Sequence, residues 1–154
     1  MFRFFSLIGL NIIQSTILYT RTNSMNLSKF DDFLDLSARI LMSGLFLING
    51  YNKIIYFEST VDWMSMYNLP AFFIYPAILL EIFAPILIIF GYKTKLSAFF
   101  LSGFCLLTAI IFLTDFSSQS ELNGFLKNVG LAGGFLLLTI HGPKKFSLDN
   151  KLKK

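Results

Sequence analysis

Apolar residues in this chain form four long stretches separated by short polar or aromatic segments. They run over about residues 36–57, 71–91, 96–114 and 125–140. A membrane-spanning helix needs about 20 mostly apolar residues. Strands of a membrane barrel would alternate with a period of two, and helices of a soluble bundle would each keep a polar face. The pattern therefore predicts an all-α fold, an integral membrane four-helix bundle.

The composition supports this interpretation. Of 154 residues, 55% are hydrophobic and 14% are charged, whereas soluble domains carry about 25% charged residues. Such a chain is not disordered, is not a nucleic-acid-binding arm and is not an ordinary soluble enzyme. The single cysteine excludes an internal disulfide, a CxxC redox pair and a thiolate zinc site. We expect no metal site and no nucleic-acid partner.

The basic residues predict an orientation. Lys93 and Lys95 lie in the second connection, whereas the first carries Glu58 and Asp62 and no basic residue. Further lysines follow the fourth stretch, at Lys144, Lys145, Lys151, Lys153 and Lys154. Cytoplasmic loops are enriched in Lys and Arg, so we expect both termini in the cytoplasm. Residues 142–154 would form a basic cytoplasmic tail in contact with anionic lipid.

The N-terminal extension, residues 1–33, allows several interpretations. Arg3 followed by the apolar residues 4–13 resembles the start of a signal peptide, but no typical cleavage site follows. The segment could be an interfacial helix or a short fifth span with polar amides. A further interpretation is that translation starts at the second methionine, Met25, and that the start of the chain is misassigned. The four-span domain itself is expected over residues 34–141.

Glu81 is the most informative residue, because a charge at the centre of a bilayer costs at least about 2.5–3.5 kcal/mol. It lies ten residues before Gly91, which is roughly 15 Å into the membrane. Side chains lean toward the N-terminus of their helix, so Lys53 on the antiparallel first span should lean toward Glu81, with Asn49 between them. Arg39 should lean toward the cytoplasm and snorkel. These four residues form the candidate ligand or proton site, and the alternative is an ion pair that only fixes helix register.

Three further features have structural interpretations. Gly130, Gly133 and Gly134 include a small-xxx-small pattern, which predicts close helix packing. His141 is expected to be an interfacial residue at a helix end rather than a ligand. Cys105 in the third stretch is expected to be a small buried hydrophobic residue.

Several elements occur together, in order, between about residues 33 and 149. They are Arg39, Gly44, Phe46, Gly50 and Lys53; Asn68-Leu69-Pro70; Glu81; the turn 91–98; Lys127-Asn128; Gly133-Gly134; and the tail motif 142–149. In this combination the chain resembles the DoxX family of small four-helix membrane proteins. Phe112-Leu113 stands where many relatives have a Phe-His pair, so a role of that histidine does not carry over.

The resemblance implies a multi-pass protein of the bacterial cytoplasmic (inner) membrane. It also implies an accessory subunit of a quinone-linked or thiol-stress-related oxidoreductase, at most non-catalytic or quinone-interacting. A quinone would then be the cofactor, and other oxidoreductase subunits would be partners in the lipid bilayer. The alternatives are a non-enzymatic scaffold or assembly factor, and a small transporter that would need to form a homo-oligomer.

Overall fold

The computed structural model describes residues 29–152 with their side chains, and residues 2–28 by the course of the backbone alone. Six α-helices and one short 3-10 turn follow one another along the chain. They are α1 (Phe2–Ile55), α2 (Phe57–Ser65), the 3-10 turn Ala71–Phe73, α3 (Ile74–Phe90), α4 (Thr94–Phe112), α5 (Gln119–His141) and α6 (Leu148–Lys151). No strand occurs in this part of the chain, so the predicted all-α class is confirmed.

Among the described residues, four segments are long and apolar enough to cross a membrane: Lys29–Ile55, Ala71–Phe90, Thr94–Phe112 and Gln119–His141. The predicted number of spans is therefore confirmed. The fourth span begins at Gln119 rather than near residue 125, because a helix can continue into polar sequence where a membrane gives way to water. At 23 residues it exceeds the length of about 20 residues that a crossing needs.

The chain divides into two units, Met1–Leu34 and Asp35–Lys154. The interpretations of residues 1–24 as a signal-like segment, an interfacial helix, a fifth span or a misassigned start all depend on residues outside the described side chains. The second unit contains the later part of α1 and all of α2 to α6, and every site discussed below lies within it.

The core of the second unit is built from one face of each of four helices. Its buried residues are Phe46, Ala84, Ile88, Ala98, Leu101, Cys105, Ala132 and Phe135. Phe46 of α1 meets Phe135 of α5 edge to face, with 5.5 Å between the ring centroids. Cys105 is buried here among apolar side chains, as a small hydrophobic residue would be.

Polar side chains join α4 to α5 inside this apolar core. The Ser102 hydroxyl donates to the carbonyl oxygen of Ala132 at 3.1 Å, and the Asn128 amide donates to the Thr108 hydroxyl at 3.1 Å. Small residues let two helix backbones approach closely enough for such bonds. The few polar residues of the third span therefore hold two spans together.

The bundle has two distinct ends. At the α2 end, the short helix α2 lies between α1 and α3, and its Trp63 stacks on Phe112 at the end of α4, with 4.4 Å between centroids. Tyr67 meets the same Phe112 ring edge to face. At the tail end, α3 ends, α4 begins, and α5 leads into the C-terminal tail, residues 142–152.

Candidate functional site

An ion pair joins α1 to α3 within the membrane-spanning part of the bundle. The Lys53 Nζ donates to both carboxylate oxygens of Glu81, at 2.9 Å to Oε1 and 2.7 Å to Oε2. The Glu81 side chain is 4% exposed and that of Lys53 is 24% exposed. Glu81 lies about 10 Å from the start of α3 and about 14 Å from its end at 1.5 Å of rise per residue. The pair is therefore held near the middle of the third helix.

Close helix packing makes this contact short. A Cβ added to Gly50, one turn before Lys53, would lie 3.0 Å from Cγ1 of Ile82 and 3.1 Å from Cβ of Glu81. Only a glycine lets α3 approach α1 at this level without displacing these atoms. Lys53 is near the end of α1 and its long stem reaches back along the helix toward Glu81, the direction in which helical side chains lean.

Asn49 does not take part in the pair. It is half-buried on α1, and in the part of the chain that the structure describes no hydrogen bond joins it to Lys53 or Glu81. The geometry therefore brings together two of the four residues named from the sequence.

Arg39 forms a separate site at the tail end, about 21 Å from Lys53 along α1 at 1.5 Å per residue. Its side chain is 1% exposed. Nε binds Asp35 Oδ2 at 3.0 Å, and Nη1 donates to the carbonyl oxygens of Ile88 and Ile89 at 3.0 and 3.1 Å. Nη2 donates to the carbonyl oxygen of Phe146 at 2.6 Å.

The expectation that Arg39 snorkels to the membrane surface is therefore wrong. The last four carbonyls of a helix have no partner within it, and a helix C-terminus carries partial negative charge. The guanidinium, with five N–H donors, satisfies two of these carbonyls on α3 and one on the tail. Burial is favoured because the protein itself supplies the acceptors that water would otherwise supply.

The C-terminal tail is folded onto the turn between α3 and α4. The Asp149 carboxylate accepts from the backbone N–H groups of Lys93 at 2.8 Å and Thr94 at 2.9 Å, and its own N–H donates to the carbonyl oxygen of Gly91 at 2.7 Å. Asp149 thus caps the N-terminus of α4 from another segment, where an acceptor and a negative charge are favoured.

Gly91 is required at this turn for two reasons. Its φ is +70°, a left-handed conformation that favours glycine. A Cβ there would also lie 2.3 Å from Cβ of Ser147 and 2.9 Å from Nη1 of Arg39. The turn, the buried arginine and the tail are therefore packed as one unit.

The sequence did not predict this arrangement, because its lysines indicated only that residues 142–154 form a basic cytoplasmic tail in contact with anionic lipid. One signal was available: Ser147 is followed by Asp149 and Asn150, a composition typical of a helix start. In the structure Ser147 is buried and is the N-cap of α6, accepting from the Asn150 N–H.

The three glycines of α5 behave differently from one another. A Cβ on Gly134 would lie 2.7 Å from Cε of Met42, so α5 packs closely on α1 there. A Cβ on Gly130 or Gly133 would meet no described atom within 4 Å. Among the described residues, close packing on α5 is therefore found at Gly134 and not at Gly130 or Gly133, because the buried residues of α5 are Ala132 and Phe135.

His141 lies at the C-terminal end of α5, at the border of a span. Among residues 29–152 no group of three or more His, Cys, Asp or Glu side chains is placed to hold a metal ion. Within residues 29–152, the candidate chemistry therefore rests on Glu81, which is ion-paired with Lys53 near mid-helix, and on Arg39, which is bound to Asp35 and to backbone carbonyls.

Comparison with known proteins identifies the family. Residues 34–114 match the DoxX family model. The chain is similar to the inner membrane protein YqjF of Escherichia coli (strain K12), at 40% identity over 83% of this chain and 98% of that protein. It is also similar to the inner membrane protein YphA of the same organism, at 34% identity over 82% of this chain and all of that protein.

A more distant similarity reaches a larger protein. The Surfeit locus protein 4 homolog of Drosophila melanogaster is 30% identical over 92% of this chain, which covers 49% of that protein. No solved structure matches. The family match, the two bacterial relatives and the four apolar helices together show that this chain belongs to the DoxX family and is a multi-pass protein of the bacterial inner membrane.

Proposed function

We propose that this chain is an accessory subunit of a quinone-linked or thiol-stress-related membrane oxidoreductase, and that the pair of Lys53 and Glu81 binds the quinone head group. The observation that supports the proposal is the ion pair itself. Glu81 is buried near the middle of α3, while a quarter of the Lys53 side chain remains accessible from the outside of the bundle. Ionisable groups inside a membrane are expensive and are functional candidates by default.

The donor chemistry of Lys53 fits one carbonyl of a quinone. An ammonium has three N–H donors, and Nζ contacts two oxygens of Glu81, which leaves a further donor. Glu81 orients Nζ and balances its charge, so Lys53 can donate to an outside acceptor without leaving an unpaired cation in the membrane. A bound quinone would supply two-electron, two-proton redox chemistry. A chain with one cysteine cannot exchange a dithiol, so we place the electron donor on a partner subunit.

The test uses the chain purified from its native membrane together with whatever subunits accompany it. We expect a double variant, Lys53→Met with Glu81→Gln, to lose co-purifying quinone and quinone-dependent turnover. Lys127→Met is the matched control, because it removes an exposed lysine from another span. Thermal unfolding shows that the variants are folded. Wild-type quinone content and turnover in the folded double variant would overturn the site.

A non-enzymatic assembly factor is the second candidate, favoured by one observation. Both oxygens of Glu81 are already bound by Lys53, which is sufficient for a contact that fixes the register of α1 against α3. The double variant then keeps all activity of the partner complex once it is assembled, and only the amount of assembled complex falls. Quantifying assembled complex and turnover per complex separates the two candidates.

We also propose that the tail end faces the cytoplasm. Lys93, Lys95, Lys144, Lys145 and Lys151 lie at this end, whereas the α2 end carries Glu58, Asp62, Asp115 and Glu121. Single cysteines at Lys151 and Ser59 test the orientation with a membrane-impermeant maleimide on intact cells. We expect labelling at position 59 alone, and Cys105 gives little background because it is buried. Labelling at position 151 alone would reverse the orientation.

A further inference from the structure

At the tail end, a cavity of about 380 Å³ lies between the start of α4 and the end of α5. The side chains that matter in its wall are Lys93, Lys95, Leu96, His141, Asp149 and Asn150. We propose that this cavity, the tail-end pocket, binds the phosphate group of an anionic glycerophospholipid. The proposal does not depend on the quinone site, because the pocket shares no residue with the Lys53–Glu81 pair, which lies near the middle of α3.

The charge of the pocket favours an anion. Two lysines line it, together with one carboxylate, that of Asp149. The Asp149 carboxylate already accepts from the N–H groups of Lys93 and Thr94 at the start of α4, so part of its charge is balanced by the helix N-terminus. The two ammonium groups therefore leave the lining with a net positive charge before His141 is counted.

Lys95 is held in place rather than extended into solvent. Its Nζ donates to the carbonyl oxygen of Ile140 at 2.7 Å, one of the unpaired carbonyls at the end of α5. Its stem crosses Gly142, where a Cβ would lie 2.8 Å from the Lys95 Cε. The remaining donors of the ammonium group are thus presented at a defined position, which lowers the entropy cost of binding an anion.

The position of the pocket indicates a lipid as the source of that phosphate. The candidate spans end at His141 on α5 and begin at Thr94 on α4, so the pocket lies where head groups begin. Leu96 lines the pocket and is also exposed, which offers an apolar surface to the first part of an acyl chain. Basic pockets between helices at this level are typical of head-group sites.

Binding is measured on the full chain after delipidation in a neutral detergent. The probes are short-chain phosphatidylglycerol, short-chain phosphatidylcholine and inorganic phosphate, and the readouts are native mass spectrometry and the shift in thermal unfolding. A basic residue near a membrane surface contributes about 1 kcal/mol, which is about fivefold in affinity. We therefore expect Lys93→Gln with Lys95→Gln to weaken phosphatidylglycerol binding by about 25-fold.

Two further variants keep the test decisive. Lys127→Gln with Lys151→Gln removes the same charge away from the pocket and is expected to bind phosphatidylglycerol nearly as the wild type does. Lys93→Gln with His141→Gln leaves the Lys95 contact with α5 intact, and reduced binding in this variant supports the site even if the first variant fails to fold.

Three results would overturn the proposal. Equal losses in the pocket and control variants would show a general basic surface. Equal binding of phosphatidylcholine would show that the anionic charge is not recognised. A full thermal shift with inorganic phosphate alone would assign the pocket to free phosphate rather than to lipid.

Discussion

Two cations on α1, Arg39 and Lys53, are satisfied in opposite ways. Arg39 binds three backbone carbonyls and Asp35, and it is almost completely inaccessible. Lys53 binds one side chain, Glu81, and remains partly accessible. A cation whose donors are distributed over backbone groups of several segments supports the fold. A cation held by one carboxylate keeps a donor for something outside the bundle, so the comparison separates a structural charge from a candidate functional one.

Removing Arg39 should have the largest effect. Arg39→Met removes the guanidinium from Asp35 and from the carbonyls of Ile89 and Phe146, and breaking a buried charged contact in this way costs about 3–5 kcal/mol. Thermal unfolding in detergent and protease cleavage of the tail measure the loss. Arg39→Lys is the control. Its ammonium group can replace only some of the hydrogen bonds of the guanidinium, so we expect an intermediate loss of stability. An Arg39→Met protein as stable as the wild type would show that Arg39 does not support the fold.

The Lys53–Glu81 pair should show strong coupling but a small net contribution to stability. We expect Lys53→Met or Glu81→Leu alone to cost about 2–3 kcal/mol, because each leaves one buried partner unpaired. The double variant should lie within about 1 kcal/mol of the wild type, since an apolar pair avoids the desolvation cost. A double-mutant cycle on thermal unfolding measures the coupling. Additive losses would show that the two side chains do not act as a pair.

Alanine substitutions at two glycines compare how tightly the chain packs around Arg39 and around the Lys53–Glu81 pair. Gly91→Ala should cost about 1–3 kcal/mol, because alanine is strained at positive φ and its Cβ would overlap with Ser147. Gly50→Ala should cost less, since its φ needs no special residue and its nearest neighbour is the Ile82 side chain. Gly103→Ala is the neutral control, because no described atom lies within 4 Å of an added Cβ. Calorimetric unfolding in one detergent ranks them, and a reversed order of Gly91 and Gly50 would contradict this interpretation.

The smallest effect is expected at the α2 end, outside both regions. The side-chain hydroxyl and then the backbone N–H of Ser117 lower the pKa of Asp115 below its ordinary value. A lowered folded-state pKa means that this contact stabilises the fold above the ordinary carboxyl pKa and is lost as the pH falls through the lowered value. Ser117→Ala should raise the pKa of Asp115, measured by NMR titration, with little change in thermal unfolding. An unchanged titration curve would exclude the hydroxyl as the cause.

Much of the fold could be predicted from the order of residues. The length and purity of the apolar stretches predict four spans, because a bilayer imposes about 20 residues per crossing. The proximity of Lys53 to Glu81 was also predictable, since both lean toward each other on antiparallel helices. The partner of Asn49 was harder to predict. Whether a half-buried amide forms a hydrogen bond depends on differences of about 1 Å in donor–acceptor distance, and helical periodicity does not specify these distances.

The sequence by itself determined the membrane class, the four spans and the family, because these depend on local composition and on motifs in order. Only the tertiary structure decided the fate of Arg39, because its acceptors lie on α3 and on the tail, about 50 and 107 residues away. It also decided that Gly134 packs against Met42 of α1, because the inward face of a helix depends on its neighbours. Every residue has a backbone carbonyl, so the sequence does not show which carbonyls at a helix end will bind a cation. They bind one only when the fold brings the cation close to them.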